Sequence, residues 1–251
     1  GFAGNIWHCF LSYLLVNNEN AFSTACEMKG KVAGTINSIA LHDFGVFKKL
    51  FEIDLVKLDK STGTECFSAL EDYEPVNDIG STFNKRIRDR ICGLSESLAK
   101  AESAKEYLNI MTKFYKEYGV GKFGLHKAFR IEEISDGKAA ISPITKIAHV
   151  SLDDLVGYED AKKKLIDNTE AFIDGRPANN CLLFGDAGTG KSSSIKGILN
   201  KYYDRGLRII EVYKHQFRYL NEVIAQIKNR NYRFIIYMDD LSFEDFETEY
   251  K

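Results

Sequence analysis

The stretch NCLLFGDAGTGKSSSIKGILNKYYDR, residues 180–205, decides how the chain is read. A short apolar run, NCLLF (180–184), leads into GDAGTGKS (185–192), which fits G-x-x-x-x-G-K-[ST]. Behind it Ile195, Ile198, Leu199, Tyr202 and Tyr203 recur at helical spacing. A strand, a glycine loop and a helix in that order form the context in which the octapeptide makes a phosphate site. Gly185, Gly188 and Gly190 let the backbone curl so that successive N–H groups turn inward. The helix beginning near Lys191 adds unpaired N–H groups and a positive dipole end. Lys191 supplies a compact charge for the β- and γ-phosphates, and Ser192 a hydroxyl for Mg²⁺. The expected cradle runs through Gly185, Asp186, Ala187, Gly188, Thr189, Gly190, Lys191, Ser192 and Ser193.

Working outward, the same alternation continues. DAKKKLIDNTEAFID (160–174) is an amphipathic helix, and LRIIEVY (207–213) is a strand. HQFRYLNEVIAQIKNR (215–230) carries Phe217, Leu220, Val223, Ile224 and Ile227 on one helical face, and RFIIYM (233–238) is another strand. This βαβαβ order predicts a parallel sheet flanked by helices. RFIIYM ends on Asp239 and Asp240, at the strand edge where such sheets bind ligands. Two carboxylates there repel unless a cation sits between them and a phosphate. Asp239, 48 residues after Lys191, is therefore expected to hold the metal, directly or through water, and Asp240 to polarise an attacking water.

The first part of the chain reads differently. Residues 9–16, 20–28 and 36–51 look like short helices. Leu98, Ala101, Ala104, Leu108, Met111, Tyr115 and Tyr118 predict one long helix over 94–118, ended by Gly119. Residues 61–65 and 75–81 read as loops, and ISPITKIAHVS (141–151) as a linker between a mostly helical domain (1–140) and the phosphate-loop unit (152–251). GVGKFG (119–124) matches G-x-G-x-x-G but follows a helix, so a packing turn or hinge is expected there instead of a dinucleotide site. KRIRDR (85–90) is expected to be a solvated helix face, since 34 Lys+Arg against 36 Asp+Glu leave a net charge of only −2. The five cysteines, at 9, 26, 66, 92 and 181, contain no C-x-x-C and suit a reducing cytoplasm. WHCFLSYLLV (7–16) is too short to span a bilayer and lacks a basic leader, so no membrane partner is expected.

LDDLVGYEDAKKKL (152–165) resembles the segment that precedes the phosphate loop in AAA+ ATPases, where a hydrophobic–Gly turn borders adenine. More narrowly, TEAFIDGRPANNCLLFGDAGTGKSSSIK, RGLRIIEVYKHQF and RFIIYMDDLSFEDF resemble the bacterial AAA+ group called domain of unknown function 815. AFSTACEMKGKVAGTINSIALHDFGVFKKLF and YGVGKFGLHKAF in the helical part are similar to that group as well. The resemblance implies a helical region followed by a partial P-loop NTPase sheet, with ATP and Mg²⁺ as ligands and Val156 and Gly157 beside adenine. It implies self-association and the remodelling or loading of a protein or nucleic-acid partner. AAA+ proteins usually carry Glu where this chain has Asp240, with Glu244 a nearby alternative. That substitution keeps open a second reading, a helicase-loader-like module gated by nucleotide with little turnover. A chain that starts at Gly1 and ends on EDFETEYK reads as a fragment without the family's sensor, arginine finger and lid, and negligible hydrolysis is expected of it alone. Without the strand that the family places between the phosphate-loop strand and RFIIYM, two sheet edges are expected to lie open.

Overall fold

The computed structural model describes residues 2–74, 85–135 and 138–239. It divides into two compact units, 1–125 and 126–251.

The first unit is helical, as expected. Its helices are α1 (Ile6–Asn17), α2 (Ala21–Lys29), α3 (Ile36–Phe51), α4 (Leu55–Thr62), α5 (Lys85–Ala99), α6 (Ala104–Tyr118) and the short α7 (Gly121–Leu125). Helix α6 packs on α2 and α3, and α5 packs on α1. Leu11, Leu15, Phe22, Phe44, Ile91, Leu98, Tyr107 and Met111 fill the shared core. The buried Tyr115 hydroxyl donates to Leu15 O at 2.7 Å, so the ring packs without leaving its polar end unpaired.

The long helix predicted over 94–118 is two helices. The chain leaves α5 after Ala99, and Ser103 restarts it by accepting the Glu106 amide at the N-terminus of α6. The glycines of GVGKFG serve packing. A Cβ at Gly124 would come 2.7 Å from the carbonyl carbon of Gly119, and Gly121 has φ +64°. The Val120 amide donates to the buried Glu27 carboxylate at 3.0 Å, which fixes this turn to α2. KRIRDR lies on α5 with Ile87 buried and Arg88 paired with Asp89, while Arg90 stacks on the Tyr118 ring at 4.4 Å. The predicted loop at 75–81 lies outside the described residues.

The second unit opens with a β-hairpin where the end of a mostly helical domain and the start of a linker were expected. β1 (Ala128–Ser135) pairs antiparallel with β2 (Lys138–Pro143), so residues 141–143 belong to a strand. Next come α8 (Glu159–Ile173), α9 (Lys191–Tyr202), β3 (Leu207–Val212), α10 (Leu220–Ile227) and β4 (Arg233–Met238). The segment Lys214–Tyr219, expected to be part of α10, winds as a 3-10 helix. The sheet order is β2-β1-β3-β4, with β1–β3 and β3–β4 parallel. The α/β class is as expected, and the hairpin makes the sheet mixed.

β3 is the central parallel strand, and Leu207, Ile209, Ile210 and Val212 are all buried. Leu207 and Ile209 face α9, packing with Ile198 and Tyr202 and with Leu199 respectively. Arg208 is buried too. Its guanidinium lies 4.1 Å from the Tyr203 ring and 4.3 Å from the Tyr232 ring, and it donates to the carbonyls of Tyr203 and Leu207. A planar cation between two rings, its donors on main-chain oxygens, is how a buried arginine is tolerated.

One predicted element is missing. Residues 180–184 form no strand, and Leu182 and Phe184 are 76% and 88% exposed. Only Leu183 turns inward, toward the α8–α9 cluster. A strand needs a neighbour's backbone to complete its ladder, and no described strand pairs with this run. β4 is likewise an edge of the sheet.

Candidate functional site

The phosphate-loop sequence forms a turn whose glycines do what their positions require. Gly185, Gly188 and Gly190 have φ of +140°, +80° and +84°, in the region that disfavours a Cβ. Gly190 is the N-cap of α9 and offers no side-chain cap, so the first-turn amides of Lys191, Ser192 and Ser193 have no capping side chain. Such a terminus favours an anion. The Lys191 ammonium folds back over the loop, donating to the carbonyls of Gly185 and Asp186 at 2.8 Å each. The Thr189 hydroxyl donates to the same Asp186 carbonyl at 2.9 Å. Asp186, Ala187 and Gly188 form the exposed crown of the turn. Uncapped amides, left-handed glycines and one lysine resting on carbonyls fit a polyphosphate, whose oxygens would replace those carbonyls as acceptors.

The segment before α8 runs beside this turn. A Cβ at Gly190 would lie 3.9 Å from Leu155 Cδ2. Gly157 has φ +85° and Tyr158 φ +57°, so the chain makes a left-handed bend before α8. The Lys162 ammonium closes the bend by donating to Leu155 O at 2.6 Å. Val156, at its tip, is 95% exposed. A neighbouring contact is tighter still: a Cβ at Gly197 would come 2.8 Å from Leu152 Cδ2. Gly197 and Leu152 were not singled out from the sequence. A glycine inside an otherwise good helix was the available signal, since it costs helix stability without a packing reason.

The second half of the site is the tip of β4. There the hydroxyl of Tyr237 reaches Ser192 on the first turn of α9. It donates to Ser192 Oγ at 3.1 Å. Burial first, and the nearby Asp239 and Glu211 carboxylates after it, push the Tyr237 hydroxyl up to about 12. Glu211 sits opposite Tyr237 in the parallel register. Burial, and then the Asp239 charge, raise the Glu211 carboxyl above its ordinary range, while Lys196 and Arg130 work in the opposite direction. Sequence reasoning passed over Tyr237 and Glu211, because in a strand reading both were simply members of apolar runs. Asp240 and Glu244, the candidates for water activation, lie outside the described residues.

Among the described residues no three His, Cys, Asp or Glu side chains converge to hold a metal by themselves. Ser192 and Asp239 alone fit Mg²⁺ as it is bound in phosphate sites, with one or two protein oxygens and the remaining positions on phosphates and water.

The family described as "Protein of unknown function (DUF815)" matches residues 124–251, and the chain belongs to that family. The replication factor C large subunit of Staphylothermus marinus is 36% identical over 76 residues. That stretch covers 30% of this chain and spans only 17% of the relative's own length. This weak similarity agrees with an AAA+ P-loop origin for the family. No solved structure matches the chain. No helix among the described residues is long and apolar enough to cross a membrane.

Proposed function

We propose that this protein is an AAA+ ATPase that binds ATP with Mg²⁺ through residues 185–193. The observation that carries the reading is the glycine turn opening into the uncapped start of α9, with Lys191 and Ser192 on the first turn. In this reading the loop amides and Lys191 hold the β- and γ-phosphates, and Ser192 and Asp239 hold the metal. Val156 and Gly157 border the base, and Asp240 polarises water. Bound magnesium supplies the charge that offsets the triphosphate during phosphoryl transfer. The chain's own work is positioning. Lys191 leaves the Gly185 and Asp186 carbonyls for the phosphates, and Asp239 directly follows β4. Residues 152–251 would supply the N-terminal half of an AAA+ unit, and the helical unit 1–125 precedes it in sequence. The whole protein self-associates and couples ATP turnover to remodelling or loading a protein or nucleic acid, in a reducing cytoplasmic setting that suits its free thiols.

A second reading, a nucleotide-gated docking module with little turnover, is favoured by one feature, Asp240 in place of the usual Glu. Its carboxyl is one methylene shorter and reaches less far toward a water. Binding of a fluorescent ATP analogue with Mg²⁺, and steady-state phosphate release, test both readings against Lys191→Ala. Loss of binding in the variant is expected. Equal binding by both proteins would reject the site, and binding without turnover above the variant's level by the whole protein would favour the docking module.

A further inference from the structure

Cys9 on α1 and Cys92 on α5 meet in the core of the helical unit, with their sulfurs 3.8 Å apart. The two helices pack together, although 83 residues of chain separate the two thiols. The remaining cysteines are placed differently. Cys26 is buried and meets the Thr112 hydroxyl at 3.9 Å, while Cys66 and Cys181 are exposed. A disulfide has its sulfurs about 2.05 Å apart, so closing the pair takes an approach of about 1.8 Å. A change of side-chain torsion supplies movement on that scale.

The surroundings tolerate that closure. Ser95, one helical turn beyond Cys92, lies 3.6 Å from the Cys9 sulfur, and its hydroxyl donates to the Cys92 carbonyl at 2.7 Å. That bond persists whether or not the thiols carry hydrogen, so the Ser95 hydroxyl stays paired when they lose it. Access is unequal. Cys9 is 3% exposed, whereas Cys92 is only half-buried, so Cys92 is the sulfur a small reagent meets first. Burial, and then Cys9 beside it, push the Cys92 thiol up to about 11. The pair therefore lacks a ready thiolate at neutral pH, and its advantage is closeness: the second step is intramolecular between sulfurs already in contact.

We propose that Cys9 and Cys92 are a redox pair, reduced at rest, which a small-molecule disulfide oxidises to an intramolecular bond that clamps α1 to α5. The Cys92 thiolate attacks one sulfur of the reagent, forming a mixed disulfide and releasing the first thiolate. Cys9, having given up its proton to solvent, attacks the Cys92 sulfur and releases the second. The two cysteines lose two electrons, and the reagent gains them and becomes two thiols, which take up the two protons. The clamp belongs to the helical unit and does not depend on the nucleotide reading.

The test uses the chain with Cys66→Ser and Cys181→Ser, which removes the two exposed thiols and keeps Cys9, Cys26 and Cys92. The folded chain is incubated with oxidised glutathione at mildly alkaline pH, then alkylated and mapped by peptide mass. A second sample is treated in denaturant. A Cys9–Cys92 link is expected in the folded chain at roughly tenfold or more the yield in denaturant, because folding holds the sulfurs together. The linked chain should melt roughly 10 °C above the reduced one, since the bond closes a loop of 83 residues in the unfolded state. Dithiothreitol should reverse both changes. Adding Cys9→Ser should abolish the link and the rise in melting temperature. The proposal is overturned if the folded chain forms no Cys9–Cys92 link, if the link forms as well in denaturant, or if the linked chain melts no higher than the reduced one.

Discussion

Leu152 and Gly197 are in direct contact, with Leu152 Cδ2 in the space a side chain at 197 would need. This one approach ties the segment leading to the Val156–Gly157 bend onto α9, the helix that carries Lys191 and Ser192. Gly197→Ala would place a Cβ 2.8 Å from that methyl, while the backbone there is helical and unstrained. Ala is the better helix former, yet overpacking should win. We expect destabilisation of about 1–3 kcal/mol by denaturant unfolding. Leu152→Ala together with Gly197→Ala should recover part of the loss; a Gly197→Ala protein as stable as wild type would mean the segment moves aside without cost.

Arg208 offers a second measurement. Its guanidinium lies between Tyr203 and Tyr232 and donates to two carbonyls from inside the central strand. Lysine keeps the charge but loses the plane and the forked donors. Arg208→Lys is therefore expected to cost roughly 1–3 kcal/mol, as a buried charge loses hydrogen bonds and stacking. Arg208→Met, which removes the charge, should be tolerated better. Thermal unfolding of the two variants side by side decides it.

Asp59 gives an acid prediction. Its carboxylate accepts from the amides of Phe67 and Ser68 and from the Thr64 hydroxyl. Burial pushes the group upward, but the hydrogen bonds from Ser68, Phe67 and Thr64 outweigh it and hold the carboxyl at about 2, below its ordinary 3.8. A folded value below the unfolded one means the stabilisation is complete above the unfolded value and is lost as pH falls toward the folded one. The melting temperature should therefore drop between about pH 4 and pH 2. Asp59→Asn should melt lower at neutral pH and show a shallower acid drop; parallel curves would remove Asp59 from the account.

The exposed Leu182 and Phe184 lie next to the phosphate loop in a run without a strand partner. Paired apolar side chains on an unladdered segment promote association between copies. Leu182→Lys with Phe184→Lys should lower light scattering at high protein concentration and leave the melting temperature of this chain unchanged. A large fall in melting temperature would show that the two side chains pack in solution.

Several features could be read from the sequence because their causes are local. The glycines of 185–190 need a left-handed backbone whatever surrounds them, and the periods of α8 and α9 follow from their own residues. Two misses were also legible. Ser103 followed by Glu106 is a helix-start signature inside the run taken as one helix. Asp136-Gly137 between alternating apolar runs is a hairpin signature in a stretch assigned only to the mostly helical domain 1–140.

The remainder was settled by neighbours distant in sequence. NCLLF has the composition of a strand, but a strand exists only when another backbone completes its hydrogen bonds, and composition does not supply that partner. Tyr237 looks like one more apolar residue in RFIIYM until the sheet brings its hydroxyl to Ser192. Glu211 looks like an interruption in a buried strand until the β3–β4 register sets it near Asp239. The sequence by itself determined which residues can grip an anion, because that depends on φ angles, helix ends and one ammonium. Only the tertiary structure decided which hydroxyl reaches Ser192, because pairing register and helix placement act across dozens of residues.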